Sequence, residues 1–189
     1  FFDVVLVAYN FKSSAELKAA IARAAKQNVG IIAMKTQAGG YETKELGDIS
    51  PHQAALKWVL QDQNVTLAIP SMVDLAQVQE DTAVLSMMKL TEADEAILQR
   101  YGKAIAPYYC HLCGGCLETC PKGVDIHKVN RSLMYAQGYR DMALARATYR
   151  SIPNARSSSA CVDCSRCVAK CVNGLNIPSK MEQARMLFA

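Results

Sequence analysis

The 189-residue chain has no apolar run that approaches the length of a membrane-spanning helix, so its sequence predicts no membrane span. Its basic residues are scattered rather than clustered with aromatic residues, which argues against a nucleic-acid-binding surface. Histidine is scarce, and we interpret His52, His111 and His127 as surface or supporting residues rather than as catalysts or metal ligands. Cysteine is absent from residues 1–109, so any cysteine chemistry is confined to the C-terminal part.

All the cysteines lie in two runs with the spacing C-x-x-C-x-x-C-x-x-x-C. The runs consist of Cys110, Cys113, Cys116 and Cys120, and of Cys161, Cys164, Cys167 and Cys171. This spacing is typical of [4Fe–4S] ligation, and two copies predict two clusters. The alternatives are less suitable, because a disulfide framework is typical of small secreted domains and structural zinc usually takes two separated pairs of ligands.

The spacing also predicts which cysteines share a cluster. The first three thiolates of a run can reach one cube, whereas the fourth follows a longer gap and ligates the other cube. We therefore expect a first thiol set and a second thiol set, each completed by the other run. The first thiol set is Cys110, Cys113, Cys116 and Cys171, and the second thiol set is Cys161, Cys164, Cys167 and Cys120.

A 51-residue internal repeat supports this pseudo-symmetry, since Gly123 recurs as Gly174 and Ile126 as Ile177. Helices are predicted over about 126–137, 139–151 and 178–188. The net charge is −2 over residues 1–103 and +6 over residues 104–189. Because each cube with four thiolates carries a charge of about −2, we interpret the basic excess as compensation for the clusters.

Residues 1–103 alternate between predicted strands and helices. The strands are expected at 2–9, 30–34 and 65–70, the first of them buried on both faces. The helices are expected to begin at Ser13 or Ser14, at Ser50-Pro51, at Asp74, and at Thr91 with Asp94 in a capping box. Leu75, Val78 and Leu85 are expected inside, and Gly102 is expected to end the last helix. Three parallel β/α units cannot close a barrel, so we expect a larger fold with further sequence before Phe1.

The order and spacing of four segments resemble the last three units of an aldo/keto reductase. These segments are Tyr9-Asn10, the stretch 30–40 ending in Gly-Gly, the helix 50–60, and Ile69-Pro-Ser-Met72 followed by 75–80. The resemblance implies an α/β fold in which residues 1–103 are the C-terminal part of a (β/α)₈ TIM barrel. Residues 104–189 resemble an α-helical ferredoxin-type extension of a bacterial subgroup of that family.

The same resemblance implies NADP(H) or NAD(H) at the barrel rim. Lys35, Thr36 and Gln37 would contact the pyrophosphate, and Ser71, Met72, Gln77, Glu80 and Asp81 would contact the adenosine part. Leu6 and the Ser71-Met72 pair depart from the family pattern, so the choice between the two nucleotides stays open. The family's catalytic residues lie on earlier strands, and no catalytic residue is assigned here.

These expectations favour an iron–sulfur oxidoreductase that couples NAD(P)H-type chemistry to electron transfer through two [4Fe–4S] clusters. Its partner would be a redox protein or a small-molecule carbonyl substrate. The alternatives are an electron-transfer module with a non-catalytic barrel as a dock, and clusters that serve only as structural staples. A cytoplasmic location is expected, with an exported form left open because the first residue is Phe.

Overall fold

The computed structural model describes residues 2–41 and 46–188. The outer ends of the two predicted domains, Phe1 and Ala189, lie outside the described residues. The chain forms two compact units, Phe1–Ala104 and Ile105–Ala189. In the described residues, no helix is long and apolar enough to cross a membrane.

The first unit is a three-stranded parallel sheet with helices between its strands. The strands are β1 (Val4–Ala8), β2 (Gly30–Met34) and β3 (Leu67–Ile69), paired in the order β1-β2-β3. The helices are α1 (Ala15–Lys26), α2 (Pro51–Leu60), α3 (Leu75–Thr82) and α4 (Glu92–Ile105), with a 3₁₀ turn at Ala83–Ser86. The parallel strands occur in sequence order, as expected for successive β/α units.

Within the described residues, the helices of this unit cover one face of the sheet. Ile31 and Ala33 of β2 are buried against α1 and α2, together with Ile21 and Val59. Successive side chains of a strand point to opposite faces, and the other face leaves large apolar side chains in solvent, with Leu6 56% exposed. The prediction that the first strand is buried on both faces is therefore wrong for this unit.

The predicted helix starts are confirmed by hydrogen bonds at the helix N-termini. The side chains of Ser14, Ser50 and Asp74 accept bonds from the backbone amides of α1, α2 and α3. At α4, Asp94 accepts a bond from the Thr91 amide while the Thr91 hydroxyl accepts one from the Asp94 amide. Each pair satisfies amides that have no partner within the helix.

Two smaller expectations about this unit are wrong. The first is the burial of three apolar side chains, since Leu75 and Leu85 are 80% and 70% exposed and Val78 is also exposed, whereas the residue that α3 buries is Asp81. The helix α4 continues past Gly102 to Ile105. The missing side chain at Gly102 admits the Phe11 ring, which would lie 3.3 Å from a Cβ there.

The second unit is built from helices packed around the cysteine runs. Its helices are α5 (Ile126–Leu133), α6 (Met142–Arg150) and α7 (Ile177–Phe188). A π-helical turn, Met134–Gly138, extends α5, and 3₁₀ turns occur at Leu117–Thr119, Asn154–Arg156 and Ser158–Cys161. The predicted helices are thus confirmed to within a few residues. Val129, Leu133 and Met181 belong to a buried core against which most of the cysteines pack.

Candidate metal centres

The two cysteine runs end in equivalent turns, as the internal repeat predicts. Gly123 has a φ of 66° and Gly174 a φ of 81°, a left-handed conformation that glycine adopts without strain. The Gly123 amide donates to the Cys120 carbonyl at 3.0 Å, and the Gly174 amide donates to the Cys171 carbonyl at 3.2 Å. The backbone after the fourth cysteine therefore turns in the same way in both runs.

A direct hydrogen bond joins the two runs at equivalent positions of the repeat. The Lys170 amide donates to the Thr119 hydroxyl oxygen at 3.1 Å, and each residue precedes the fourth cysteine of its run. The ends of the runs therefore lie side by side, and each fourth cysteine is placed within reach of the opposite run.

The first thiol set comes together around Cys110 and Cys116. Burial is the main cause that raises the pKa of the Cys110 thiol, and interactions with Cys171 and Cys113 raise it further. An interaction with the Leu112 backbone and the charge of Arg131 act in the opposite direction. Burial likewise raises the pKa of Cys116, which interacts with the other three thiols of the set, those of Cys110, Cys171 and Cys113. Cys171 thus joins the first run, as the crossed arrangement predicts.

The second thiol set surrounds a cavity of about 280 Å³. The four cysteines of the set line this cavity, which α7 closes through Ile177, Met181 and Arg185. Burial raises the pKa of the Cys161 thiol, with further contributions from Cys164, Cys120 and Cys167. Cys120 of the first run therefore faces the three cysteines of the second run.

All eight cysteines are free thiols, as ligation of two clusters requires. Within residues 2–41 and 46–188, no three His, Cys, Asp or Glu side chains are grouped as a site for a single metal ion. A cube differs from such a site, because each of its four thiolates binds a different iron.

Part of the predicted nucleotide site forms one hydrogen-bonded group. The side-chain amide of Gln37 donates to Asp81 Oδ1 at 2.5 Å, and the Ser50 hydroxyl donates to the Glu80 carboxylate. Burial raises the pKa of Asp81, the charge of Glu80 adds to this, and the bond from Gln37 opposes it. Thr36, which precedes Gln37 in the chain, is buried, and its hydroxyl has no hydrogen-bond partner in the part of the chain that the structure describes.

The other predicted nucleotide contacts lie elsewhere in the first unit. Ser71 and Met72 are exposed in the loop before α3, at the opposite end of that helix from Asp81. The Gln77 side-chain oxygen accepts a bond from the Val73 amide at 2.9 Å. Lys35 has a φ of 54°, and its carbonyl accepts a bond from the Asn10 side chain at 2.9 Å. The structure thus brings only some of the predicted contacts together.

His52 is not the surface residue that the sequence suggested. Its ring packs edge-on against Tyr101, with 5.7 Å between ring centroids, and its buried Nδ1 atom has no hydrogen-bond partner among the described residues. Burial lowers the pKa of His52, and the nearby charge of Glu80 only partly offsets this. The position of His52 at the start of a helix suggested exposure, but the residue that covers its ring, Tyr101, is distant in the sequence and could not be inferred from it.

Asn173 contacts the first thiol set, and the sequence did not point to it. Its side-chain amide donates to Cys113 Sγ at 3.6 Å, and its backbone amide donates to Cys171 Sγ at 3.4 Å. Cys113 is 60 residues away along the chain. No local pattern signals this contact, because it exists only once the two runs cross.

One comparison with known proteins bears on the second unit. The family described as "4Fe-4S dicluster domain" matches residues 109–177, a stretch that contains both cysteine runs. No curated protein matches the chain, and no solved structure matches it. The family match supports a ferredoxin-type iron–sulfur domain in this part of the chain, with a role in electron transfer.

Proposed function

We propose that the chain carries electrons through two [4Fe–4S] clusters, one held by the first thiol set and one by the second. The observation that carries this proposal is the composition of each set. Cys171 interacts with the thiols of the first run, and Cys120 lines a cavity with the thiols of the second. Each site therefore offers the four thiols that one cube requires.

The residues around the thiols suit this role. A bound cluster would supply one-electron transfer, and the chain would supply ligands, charge compensation and a dry environment. Arg131 interacts with Cys110 and Arg185 with Cys161, so each site has a nearby cation. Apolar side chains of α5 and α7 form the buried core against which most of the cysteines pack.

We further propose that the first unit belongs to an aldo/keto reductase-like oxidoreductase that exchanges electrons with the clusters. Two one-electron sites could together accept the two electrons of a hydride from NADPH or NADH. The parallel β/α units in sequence order support this proposal. The exposed apolar face of the sheet supports it as well, because the interior of a closed barrel is lined by such residues. The partner would be a carbonyl compound or a redox protein.

A second candidate is an electron-transfer module whose first unit only docks a partner. The hydrogen bonds of the predicted nucleotide contacts favour it, since Gln37, Asp81 and Gln77 bond to other parts of the protein. Titration of the intact protein, in which the remaining units of the proposed barrel are present, with NADPH and with NADH separates the two candidates, because three β/α units alone do not form a closed nucleotide site. Saturable binding of either nucleotide supports the oxidoreductase, and the absence of binding supports the module.

Metal analysis tests the cluster proposal. Protein prepared without oxygen should contain about eight irons and about eight acid-labile sulfides per chain, because each cube holds four of each. Replacing Cys113 and Cys164 together by alanine is the matched control, since it removes one ligand from each site and should lower both values. A preparation with two zinc ions per chain and no labile sulfide would contradict the proposal.

A further inference from the structure

Asn173 follows the second cysteine run, yet both of its N–H donors reach sulfurs of the first thiol set. Its side chain donates to Cys113 Sγ at 3.6 Å, and its backbone amide donates to Cys171 Sγ at 3.4 Å. These two sulfurs come from different runs. Asn173 therefore bonds both to Cys171, which the second run contributes to the first thiol set, and to Cys113 of the first run.

The backbone of the first run also differs from that of the second. Leu112, two residues after Cys110, has a φ of 55°, a left-handed conformation that is strained for a non-glycine residue. Asp163 occupies the equivalent position of the second run and does not adopt this conformation. Across the described residues, the N–H groups that donate hydrogen bonds to cysteine sulfurs belong to Asn173, and both bonds serve the first thiol set.

The two sites therefore differ although the repeat makes them alike. We propose that Asn173 raises the reduction potential of the cluster held by the first thiol set. This inference rests on the proposed function. Reduction adds one electron to a cluster, and the extra negative charge is shared with the ligating sulfurs. N–H groups directed at those sulfurs stabilise the reduced form more than the oxidised form.

The repeat supplies a matched control for this residue. The position 51 residues before Asn173 is Lys122, which is exposed beside the second thiol set. Asn173→Ala removes the side-chain donor at Cys113 and keeps the backbone donor at Cys171. Asn173→Asp keeps the shape of the side chain but replaces the donor by an anionic oxygen. Lys122→Ala changes the equivalent position without altering any donor at the first site.

The experiment is a redox titration of the cluster-loaded chain with dithionite, followed by electron paramagnetic resonance. Cys113→Ser identifies the signal of the first cluster, because it changes one ligand of that cluster. We expect Asn173→Ala to shift the potential of this cluster to a more negative value, and Asn173→Asp to shift it further. The potential of the second cluster should stay unchanged in both variants. Lys122→Ala should leave the first cluster unchanged.

Unshifted potentials in Asn173→Ala and Asn173→Asp, at the iron content of the unmodified chain, would overturn the inference and leave the proposed function intact. A shift of the first cluster in Lys122→Ala equal to that in Asn173→Ala would overturn it as well. If Asn173→Ala fails to retain its first cluster, the near-isosteric Asn173→Leu decides the question, because it removes the amide donor without adding a charge. A chain without any [4Fe–4S] signal would instead contradict the proposed function itself.

Discussion

Lys57 and Asp94 form an ion pair in the first unit, with their side chains only 11% and 4% exposed. Both Asp94 oxygens lie 3.1 Å from the Lys57 ammonium nitrogen. Asp94 also accepts bonds from the amide and hydroxyl of Thr91, so one carboxylate caps α4 and attaches it to α2. Breaking a buried pair by removing one partner leaves an uncompensated charge and is strongly destabilising.

Asp94→Ala should therefore lower the free energy of unfolding by about 3 kcal/mol or more, because Lys57 would stay buried without its partner. Glu95→Ala, at the exposed next position of α4, is the control and should change stability by less than about 0.5 kcal/mol. Chemical denaturation at neutral pH measures both values. Equal stabilities of the two variants would show that the pair contributes nothing.

The ion pair of Lys57 and Asp94 also makes the stability of the folded protein depend on pH. Burial favours the neutral form of Asp94, but the bonds from Thr91 and Lys57 outweigh it and hold the pKa below its ordinary value. A carboxyl group whose pKa is lowered by folding stabilises the protein above its unfolded pKa, and this contribution is lost as the pH falls through the folded value. The difference between the unmodified chain and Asp94→Ala should therefore shrink in acid, below the ordinary aspartate pKa.

At the scale of elements, local sequence signals predicted the helix starts and the repeat. Ser14, Ser50 and Asp74 act at their own helix ends, within three residues of the amides that they bind. The exposure of α3 and the continuation of α4 past Gly102 could not be read in this way. Both depend on which elements pack nearby, and the identity of a residue such as Leu75 does not show which elements these are.

The equivalent turns after the two runs provide a test at this scale. Gly174→Ala and Gly123→Ala should each destabilise the cluster-loaded chain by about 1–2 kcal/mol, because alanine is strained at a positive φ. Open space surrounds both positions, so no steric clash adds to this cost. Gly115→Ala is the control, since it has no positive φ and its new Cβ would meet Val172 at an ordinary 3.4 Å.

Thermal unfolding followed by circular dichroism compares the three variants. The melting temperature should fall by similar amounts in Gly123→Ala and Gly174→Ala, as the repeat requires, and it should fall less in Gly115→Ala. A larger loss in Gly115→Ala than in either of the others would show that backbone conformation does not dominate at these turns.

At the scale of the molecule, the crossed thiol sets tie the second unit into one structure. Each set takes cysteines from runs separated by 51 residues, and the core of α5 and α7 packs against both runs. A cluster bound in this way would stabilise the whole unit rather than a single loop. The spacing of the runs predicted this arrangement because it is a property of the repeat. The difference between the two sites could not be predicted, since it depends on the contact between Asn173 and Cys113.

The central claim is this crossing, and paired variants of the fourth cysteines test it most directly. Cys113→Ser and Cys164→Ser first identify the paramagnetic resonance signals of the first and second clusters. We expect Cys120→Ala to alter the signal of the second cluster, which Cys164→Ser identifies. We expect Cys171→Ala to alter the signal of the first cluster, which Cys113→Ser identifies. If Cys120→Ala altered the signal of the first cluster and left that of the second unchanged, each run would hold its own cluster and the crossed arrangement would be wrong.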